Sequence, residues 1–266
     1  MVESDVSEKI SMKSKEPIFL LGGQDLEMQE IASVLSQRHI RFFQRDLRWD
    51  NAKLSAYSDV LRDYAHSCSE IYGVELVEDI PPPSNYYSID HHNHRSKELS
   101  SLEQVACVLN IELDYRQQLI AANDKFYIKG MKALGATEEE IARIRSEDRK
   151  AQGVTEAEEQ QARYTLKHFL RKEGRLVVVK AKGNKFSPLC DALYPCEQLL
   201  IYTDREWTYY GTSKNELVNF FKEEITSGHI YHGGGDSGYI GLVAGVYPAE
   251  KINNMVQQIK KIVNHV

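Results

Sequence analysis

The sequence predicts an α/β protein: a parallel-sheet N-terminal domain with helices on both faces, then a smaller C-terminal α+β domain. Three observations predict this fold class. Short apolar runs alternate with helical patterns over the first half, as in sheets whose parallel strands are joined by helices. A long helical stretch follows, and strand-like runs return beyond Gly174. The 266 residues, 42% of them hydrophobic, are enough for two domains with cores of their own.

In the first half, each apolar run predicts one strand. Residues 17–21, PIFLL, end at Gly22 and Gly23, which indicates a buried strand and a turn. A helix with Met28, Ile31 and Leu35 on one face follows. The remaining strand candidates are 39–43, 72–77 and 86–89, and 51–67 is helical in composition.

The second half changes character at Gly174. Residues 102–173 are mostly helical, and the strand candidates beyond them are 176–179, 199–202 and 207–210, with helices at 215–225 and 252–263. The predicted organisation is a disordered leader (1–16), a metal-binding α/β domain (17–135), a helical linker (136–173) and an α+β substrate-binding domain (174–266).

The bulk composition excludes several classes of function. A net charge of −6 argues against sequence-independent binding of duplex nucleic acid, which requires a broad basic surface. No apolar run is long enough to span a bilayer, and the N-terminal residues do not resemble a secretory signal. Four cysteines without a close pair are typical of free thiols in a reducing compartment, so we expect a cytoplasmic protein.

The most informative segment is YYSIDHHNHRS, residues 86–96, where a strand candidate runs directly into Asp90, His91 and His92. Carboxylate and neutral imidazole are both good ligands for divalent transition metals. Adjacent residues of an extended segment point to opposite sides, so one histidine can bind a metal while the other meets a substrate. The alternative is a polar loop whose histidines bond only to the backbone.

Acidic residues follow other strand candidates, where ligands of parallel sheets gather. Asp25 and Glu27 follow the first strand, Glu75 and its rival Asp79 accompany the third, and Asp124 lies in the helical segment LIAAND. Each has an ordinary alternative: a helix N-cap for Asp25, a solvent-facing strand residue for Glu75 and a salt-bridged helix residue for Asp124. Together they predict a site for two metal ions.

This pattern resembles the DHH superfamily of phosphoesterases, which carry an Asp-His-His segment, an Asp-x-Asp turn after the first strand and further acidic residues. The resemblance covers nearly the whole chain. It implies that Asp25, Glu27, Glu75, Asp90, His91 and Asp124 bind metal, that Asp90 and His92 are catalytic, and that His92 contacts the substrate. The implied cofactor is Mn²⁺ or Mg²⁺, as two ions that activate a water.

The sequence departs from the family pattern at several positions. The first turn is Asp-x-Glu, Leu21 stands where several relatives place a histidine, and Glu75 replaces an aspartate. A glycine-rich loop, HGGGDSGYIG, matches the family's substrate loop, but Asp236 stands where relatives often have a histidine. The implied substrate contacts are Gly233, Gly234, Gly235, Asp236 and Ser237, because glycines let backbone N–H groups approach a phosphate. The alternative is a plain turn between two strands. Arg145 and Arg149 on the helical segment are candidates for added positive charge.

The implied function is hydrolysis of a small phosphorylated, nucleotidic substrate, with a short oligonucleotide or a cyclic dinucleotide among the partners considered. A catalytically degenerate DHH-type protein that binds such a ligand without turnover is the alternative. The sequence leaves open which metal binds and whether the chain forms a homodimer.

Overall fold

The first half of the chain forms a sheet in which every described pair of neighbouring strands is parallel. The structure is a computed structural model, and it describes residues 16–48, 51–92, 95–235 and 238–265. The leader predicted at 1–16 therefore lies almost entirely outside the described residues. The strand order is β2-β1-β3-β4, with β1 at Ile18–Leu21, β2 at Arg41–Gln44, β3 at Ile71–Val74 and β4 at Tyr86–Ile89.

Strand β1 lies inside this sheet and is buried along its whole length. Alternation along the strand sends Ile18 and Leu20 to one face, where they pack in a cluster with Leu54, Tyr57, Val60 and Leu61. Phe19 points to the opposite face and stacks on Tyr72 of β3 with ring centroids 5.2 Å apart. A strand buried on both faces explains the continuous apolar run in the sequence.

The helices of this half are α1 (Leu26–Gln37), α2 (Ser58–Tyr64), α3 (Ser101–Leu109), α4 (Tyr115–Ala133) and α5 (Glu138–Ala151). The helix predicted at 51–67 is shorter than expected and is shared between a 3₁₀ turn, Leu54–Tyr57, and α2. Helix α4 bends at Tyr127, whose φ of 57° and ψ of −151° lie outside the helical region.

The chain divides into two compact units inside α5. The first ends at Ile144 and the second begins at Arg145. This point lies within the segment predicted as a linker, and the predicted limits at 135 and 173 stay predictions.

The second unit contains a mixed sheet in its described part. The strands are β5 (Leu170–Glu173), β6 (Leu176–Lys180), β7 (Gln198–Tyr202), β8 (Trp207–Gly211), β9 (Ile230–Gly233) and β10 (Tyr239–Leu242). The helices are α6 (Glu156–Phe169), α7 (Ser187–Leu193), α8 (Lys214–Phe220), α9 (Lys222–Thr226) and α10 (Ala249–His265). The strand order is β5-β6-β7-β8-β10-β9. Strands β6 and β7 are parallel and α7 connects them, whereas the other neighbours are antiparallel. The predicted fold class, a parallel α/β half followed by an α+β half, is confirmed.

The two faces of this second sheet pack against different helices. On one face, Leu200 and Tyr209 form a core with Leu217 of α8 and Ile252 and Ile259 of α10. On the other face, a cluster joins Val179 and Ile201 to Ala162 of α6 and Leu189 of α7. The burial of β7 at four consecutive residues thus follows from a sheet covered on both sides.

One prediction in this unit is wrong over four residues. The helical segment was expected to continue to residue 173, but residues 170–173 form β5, which pairs with β6 in a hairpin that turns at Gly174. Gly174 has φ 61°, a conformation that glycine adopts readily. The pairing with β6 therefore outweighs the helical composition of this short, polar stretch.

Two further predictions concern the cysteines and the possibility of a helix that spans a membrane. The four cysteines are free, as predicted. Each described helix is either too short or too polar to traverse a bilayer.

Candidate metal centre

The carboxyl edge of the first sheet carries a cluster of acidic and imidazole side chains. Glu75 directly follows β3, His91 follows β4, and Glu27 lies in the first turn of α1, just after β1. Asp124 comes from α4, one turn before the bend at Tyr127. The chain therefore brings together residues separated by up to about a hundred positions, because parallel strands end at a common edge.

His91 is the centre of this cluster. Its Nε2 atom lies 2.7 Å from Oδ2 of Asp124, 3.5 Å from Oε1 of Glu75 and 3.7 Å from Oε2 of Glu27. The side chains of His91, Glu27 and Glu75 are almost fully buried. Glu75, His91, His92 and Asp124 each offer one ligand atom, and these four atoms lie within 4.8 Å of one another.

Four atoms of the cluster are buried without a hydrogen-bond partner among the described residues. They are Oε2 of Glu27, Oε2 of Glu75, Nε2 of His91 and Oδ2 of Asp124. His91 and Asp124 are close enough to hydrogen-bond, yet their orientation does not satisfy the directional requirement of a bond. Unpaired buried polar atoms are strongly unfavourable, and a cation bound beside Nε2 of His91 would give partners to ligand atoms of this kind. The donor set of carboxylate oxygens and imidazole nitrogen suits Mn²⁺, Mg²⁺ or Zn²⁺.

The electrostatics of the cluster also favour a cation. Burial, together with the charges of Glu75 and Asp124, raises the pKa of Asp25 well above its usual value. Burial and the charge of Asp124 raise the pKa of Glu27 to about 8. For His91, burial disfavours the charged imidazolium, but contacts with Asp124, Glu27 and Glu75 outweigh it and raise its pKa to about 12. Without a metal, protons must neutralise this excess of carboxylates.

The amino end of α3 fixes two of the carboxylates, which the sequence reasoning missed. The hydroxyl of Ser101 donates to Oε1 of Glu75 at 2.7 Å, and the backbone N–H of Leu102 donates to Oε1 of Glu27 at 3.0 Å. Glu27 therefore has one oxygen held by α3 and the other, Oε2, facing His91. In Glu75 the oxygen that Ser101 holds is also the one nearest to His91, and Oε2 is buried without a partner. A helix N-terminus also stabilises negative charge through its dipole. The capping box of Ser100 and Glu103 was the available sequence signal for this helix start.

The backbone at the end of β3 is shaped for this site. Glu75 has φ 53°, an unusual value for a residue other than glycine. Gly22, at the end of β1, runs so close that an added Cβ would lie 2.5 Å from the carbonyl oxygen of Glu75. A glycine is thus required beside the residue that turns its carboxylate into the cluster.

Of the two further candidate carboxylates, Asp25 is buried near the cluster and Asp79 is exposed. The Oδ1 atom of Asp25 accepts a hydrogen bond from the N–H of Met28 at 2.8 Å, so the N-cap alternative is confirmed, although the carboxylate is also buried near the cluster. Asp79 is exposed, and its carboxylate accepts from both the backbone N–H and the hydroxyl of Ser55. The structure brings Glu75, and not its rival Asp79, to His91.

Asp90 contacts His92 rather than His91. Its Oδ1 accepts from the N–H of His92 and lies 2.9 Å from Nδ1 of the same residue. Burial opposes ionisation of Asp90, but the bonds from His92 prevail and lower its pKa; the same contact raises the pKa of His92. Engagement of Nδ1 orients the ring, whose centroid lies 4.4 Å from that of His91.

The glycine-rich loop belongs to the second unit, where it joins β9 to β10. Gly234 and Gly235 have φ values of 73° and 66°, so the hairpin alternative holds for its described part. The carbonyl of Gly235 accepts a hydrogen bond from the buried Lys214. Asp236 and Ser237 lie outside the described residues.

Two arginines do not supply the positive charge that was considered for them. Arg145 is buried and bonds to Asp148 at 2.6 Å and Asp191 at 3.0 Å. Arg149 bonds to Glu159 at 2.6 Å and also contacts Asp191. Both guanidinium groups are thus neutralised inside the second unit.

Comparison with known proteins adds a likeness of fold. No family profile matches the sequence, and no curated protein matches it. Among solved structures, the DHH domain of a member of a family of ribosomal proteins is 13% identical, with a TM-score of 0.54 over 94% of this chain and 87% of its own. A pGpG-specific phosphodiesterase from Vibrio cholerae is 12% identical, with a TM-score of 0.47 over 94% and 99%. RecJ from Thermus thermophilus, solved with Mn²⁺, is 9% identical, with a TM-score of 0.44 over 93% and 52%. The first of these likenesses shows a shared fold.

Proposed function

We propose that this chain, which has the fold of DHH-domain proteins, is a divalent-metal-dependent phosphoesterase that hydrolyses a small phosphorylated substrate. The observation that carries the proposal is that three carboxylates surround Nε2 of His91, and that each of these four residues has a buried ligand-type atom without a partner: Glu27, Glu75, His91 and Asp124. A structural core has no use for such a group, because each atom loses its hydration without gaining a partner. A cation would bind to these ligand atoms and could also bind a phosphoryl oxygen of a substrate.

The residues that would hold the metal are Glu27, Glu75, His91 and Asp124, with Asp25 at the margin of the site. A divalent cation there would lower the pKa of a water and neutralise charge on a phosphoryl oxygen. The protein contributes orientation: α3 restrains Glu27 and Glu75 from behind, as outer partners of metal ligands commonly do.

His92 is proposed as the group that contacts the phosphoryl oxygens. Asp90 engages its Nδ1, and this contact favours the charged imidazolium. A positive group aimed at a phosphoryl oxygen stabilises the negative charge that accumulates there during hydrolysis. Asp90 then acts as a positioning residue rather than as a metal ligand.

We further propose two ions, Mn²⁺ or Mg²⁺, with Asp25 and Glu27 as the added ligands of the second. The substrate class that we propose is nucleotidic, with short oligonucleotides and cyclic dinucleotides as the first candidates. The net charge of −6 supports a small substrate over long nucleic acid, because a metal supplies positive charge only locally.

The test is a hydrolysis screen over dinucleotides, cyclic dinucleotides, pyrophosphate and bis(p-nitrophenyl) phosphate, with Mn²⁺, with Mg²⁺ and with EDTA. We expect metal-dependent release of a nucleoside monophosphate or of nitrophenol. Asp124→Asn should lower kcat/KM at least about 100-fold, because losing a ligand should exceed the 10–100-fold effect of losing an outer partner. Asp79→Asn is the matched control, since this carboxylate is exposed and bonds to Ser55; it should retain activity. Equal loss in both variants would contradict the assignment.

A second candidate function is binding of a phosphorylated ligand without turnover. The observation that favours it is Leu21, which is buried at the position where several DHH relatives place a histidine, and which offers no ligand from its side chain. Metal and nucleotide binding without hydrolysis of any substrate in the screen would decide for this function.

A further inference from the structure

The second unit contains a cavity of about 650 Å³ at the carboxyl ends of its two parallel strands, β6 and β7. The loop after β6, residues 181–184, forms one wall, and the turn between β7 and β8, residues 203–206, forms another. Cavities of this size are typical of binding sites for small organic molecules rather than for a lone inorganic ion. The carboxyl ends of parallel strands joined by a helix are also the usual location of ligands in such sheets.

This cavity is separate from the glycine-rich loop. Strand β8 is antiparallel to β7, and β10 is antiparallel to β8, so β10 ends at the cavity edge, where Ala244 lines the wall. The glycines stand at the start of β10, which lies at the opposite edge of the sheet. A ligand in the cavity therefore occupies a different site from a ligand held by the glycine-rich hairpin.

The charged residues in the wall are three basic and two acidic ones: Lys180, Lys182, Arg205, Asp204 and Glu206. Lys180 forms an ion pair with Asp204 at 2.9 Å, which neutralises both. Lys182 and Arg205 make no ion pair within 4 Å among the described residues. Glu206 lies in the same wall and interacts with Arg205 through its charge, so the wall carries one more positive than negative charge. In a chain whose net charge is −6, this excess favours an anionic ligand.

The two cations are exposed, but each has a contact that restrains it at the cavity wall. The Nζ of Lys182 lies over the ring of Phe169, 4.8 Å from its centroid. The guanidinium of Arg205 lies against the turn after β10, where a Cβ added to Gly245 would be 3.2 Å from one of its nitrogens. The hydroxyl of Thr203 accepts from the backbone N–H groups of Arg205 and Glu206, which fixes the turn that carries the arginine. Cations placed in advance of binding lose less side-chain entropy when an anion arrives.

The rest of the wall suits the organic part of a ligand. Phe169, Ala181 and Ala244 supply apolar surface, and the amide of Asn184 supplies both a donor and an acceptor. An aromatic ring beside basic groups matches a ligand that joins a phosphate to a heterocycle.

From this cavity we propose that the second unit binds a nucleoside monophosphate, with the phosphate on Lys182 and Arg205 and the base against Phe169. The proposal does not depend on the metal centre or on the proposed hydrolysis. It assigns a binding site and no chemical step.

The test is titration calorimetry of the full chain with AMP in EDTA, so that no metal recruits the phosphate to the first unit. We expect one AMP per chain. Lys182→Glu combined with Arg205→Glu should weaken the binding at least tenfold. Lys222→Glu, which alters an exposed lysine of α9 outside the cavity, should leave it unchanged.

Further ligands separate the two halves of the proposed contact. Phe169→Ala should weaken AMP more than ribose 5-phosphate, because both lose the ring that contacts Lys182 but only AMP loses a contact with its base. The proposal is overturned if AMP does not bind, if the double variant binds as the wild type does, or if inorganic phosphate binds as tightly as AMP. Retained binding in the double variant would place the phosphate elsewhere, for example on the glycine hairpin.

Discussion

At the residue scale, the feature that matters most is the number of carboxylates around one imidazole nitrogen. Nε2 of His91 has three acidic neighbours within 3.7 Å, and three of these four residues are buried. A protein core normally avoids such a group because like charges repel strongly where water is excluded. The arrangement is unfavourable for stability in the metal-free protein and favourable for binding a cation.

The first prediction concerns Glu27→Gln in the metal-free protein. The amide keeps the shape of the side chain and its acceptor for Leu102. It needs no proton, whereas folding of the wild type near pH 7 requires Glu27 to take one up, because its folded pKa is about 8. We expect the free energy of unfolding to rise by about 1–2 kcal/mol, since a shifted pKa unit corresponds to roughly 1.4 kcal/mol and part of it relaxes. Denaturation in urea with EDTA measures this change.

The same variant should lose most of the stabilisation that Mn²⁺ gives the wild type, because a ligand is missing. Asp79→Asn is again the control: weaker bonds from Ser55 should lower its free energy of unfolding slightly, but the stabilisation by Mn²⁺ should be unchanged. A Glu27→Gln protein that is less stable than the wild type without metal would mean that Glu27 serves the fold and not the site.

The sequence alone identifies most residues of the cluster, but it does not show which of the acidic candidates lie close to His91. Asp90, His91 and His92 stand out because three ligand-type side chains directly follow an apolar strand. The spacing of the sequence could not show which of Glu75 and Asp79 belongs to the cluster. They lie only four positions apart, yet Glu75 turns inward at the end of the strand and Asp79 bonds to Ser55. The left-handed backbone at Glu75 makes that choice, and no residue preference predicts it.

At the scale of elements, the amino end of α3 positions the site although it supplies no ligand. Ser101 and Leu102 hold one oxygen each of Glu75 and Glu27, and Gln104 donates to the carbonyl oxygen of Asp90 at 3.1 Å. One short helix thus contacts three parts of the cluster. The capping box in the sequence announced the helix, but only the tertiary fold shows which carboxylates its N–H groups meet.

The second prediction compares two neighbouring serines of α3. Ser101→Ala removes the hydrogen bond to Glu75, and we expect Mn²⁺ affinity to fall about 10-fold or more, with little loss of helix stability. Ser100→Ala removes the cap instead, and should lower the free energy of unfolding by about 1 kcal/mol with a smaller effect on affinity. Calorimetric titration with Mn²⁺ and urea denaturation measure the two effects. If Ser101→Ala instead lowered the free energy of unfolding and left the Mn²⁺ affinity unchanged, Ser101 would stabilise the helix rather than position Glu75.

The elements that the sequence did not predict share a physical cause. Strand β5 and helix α7 are short, and their form depends on neighbours rather than on their own composition. β5 becomes a strand because β6 pairs with it across Gly174. By contrast, β1 can be predicted as a strand, because a strand that is buried along its whole length requires a continuous apolar run in the sequence.

At the scale of the whole molecule, the cluster of carboxylates around His91 couples stability to pH. Glu27 holds its proton up to a pKa of about 8 in the folded state, whereas its ordinary pKa is near 4.5. The folded protein therefore carries a proton that the unfolded chain has lost between these values, and the free energy of unfolding falls as pH rises through this window. His91 acts in the same direction above its ordinary pKa of 6.5, because its folded pKa is about 12.

The third prediction follows from this linkage. Mn²⁺ must displace the protons that neutralise the cluster, so its stabilising effect should increase with pH. We expect the difference in Tm with and without Mn²⁺ to be larger at pH 8 than at pH 6, as measured by scanning calorimetry. A difference that is constant or that shrinks toward pH 8 would contradict the protonation scheme.

Four residues are proposed to surround a divalent cation: Glu27, Glu75, His91 and Asp124. The most direct test is a crystal structure of the protein grown with Mn²⁺, with anomalous scattering used to locate the metal. We predict an anomalous peak at bonding distance from Nε2 of His91 and from an oxygen of at least two of these carboxylates. An anomalous map with no peak there, in crystals that contain Mn²⁺ elsewhere, would contradict the account.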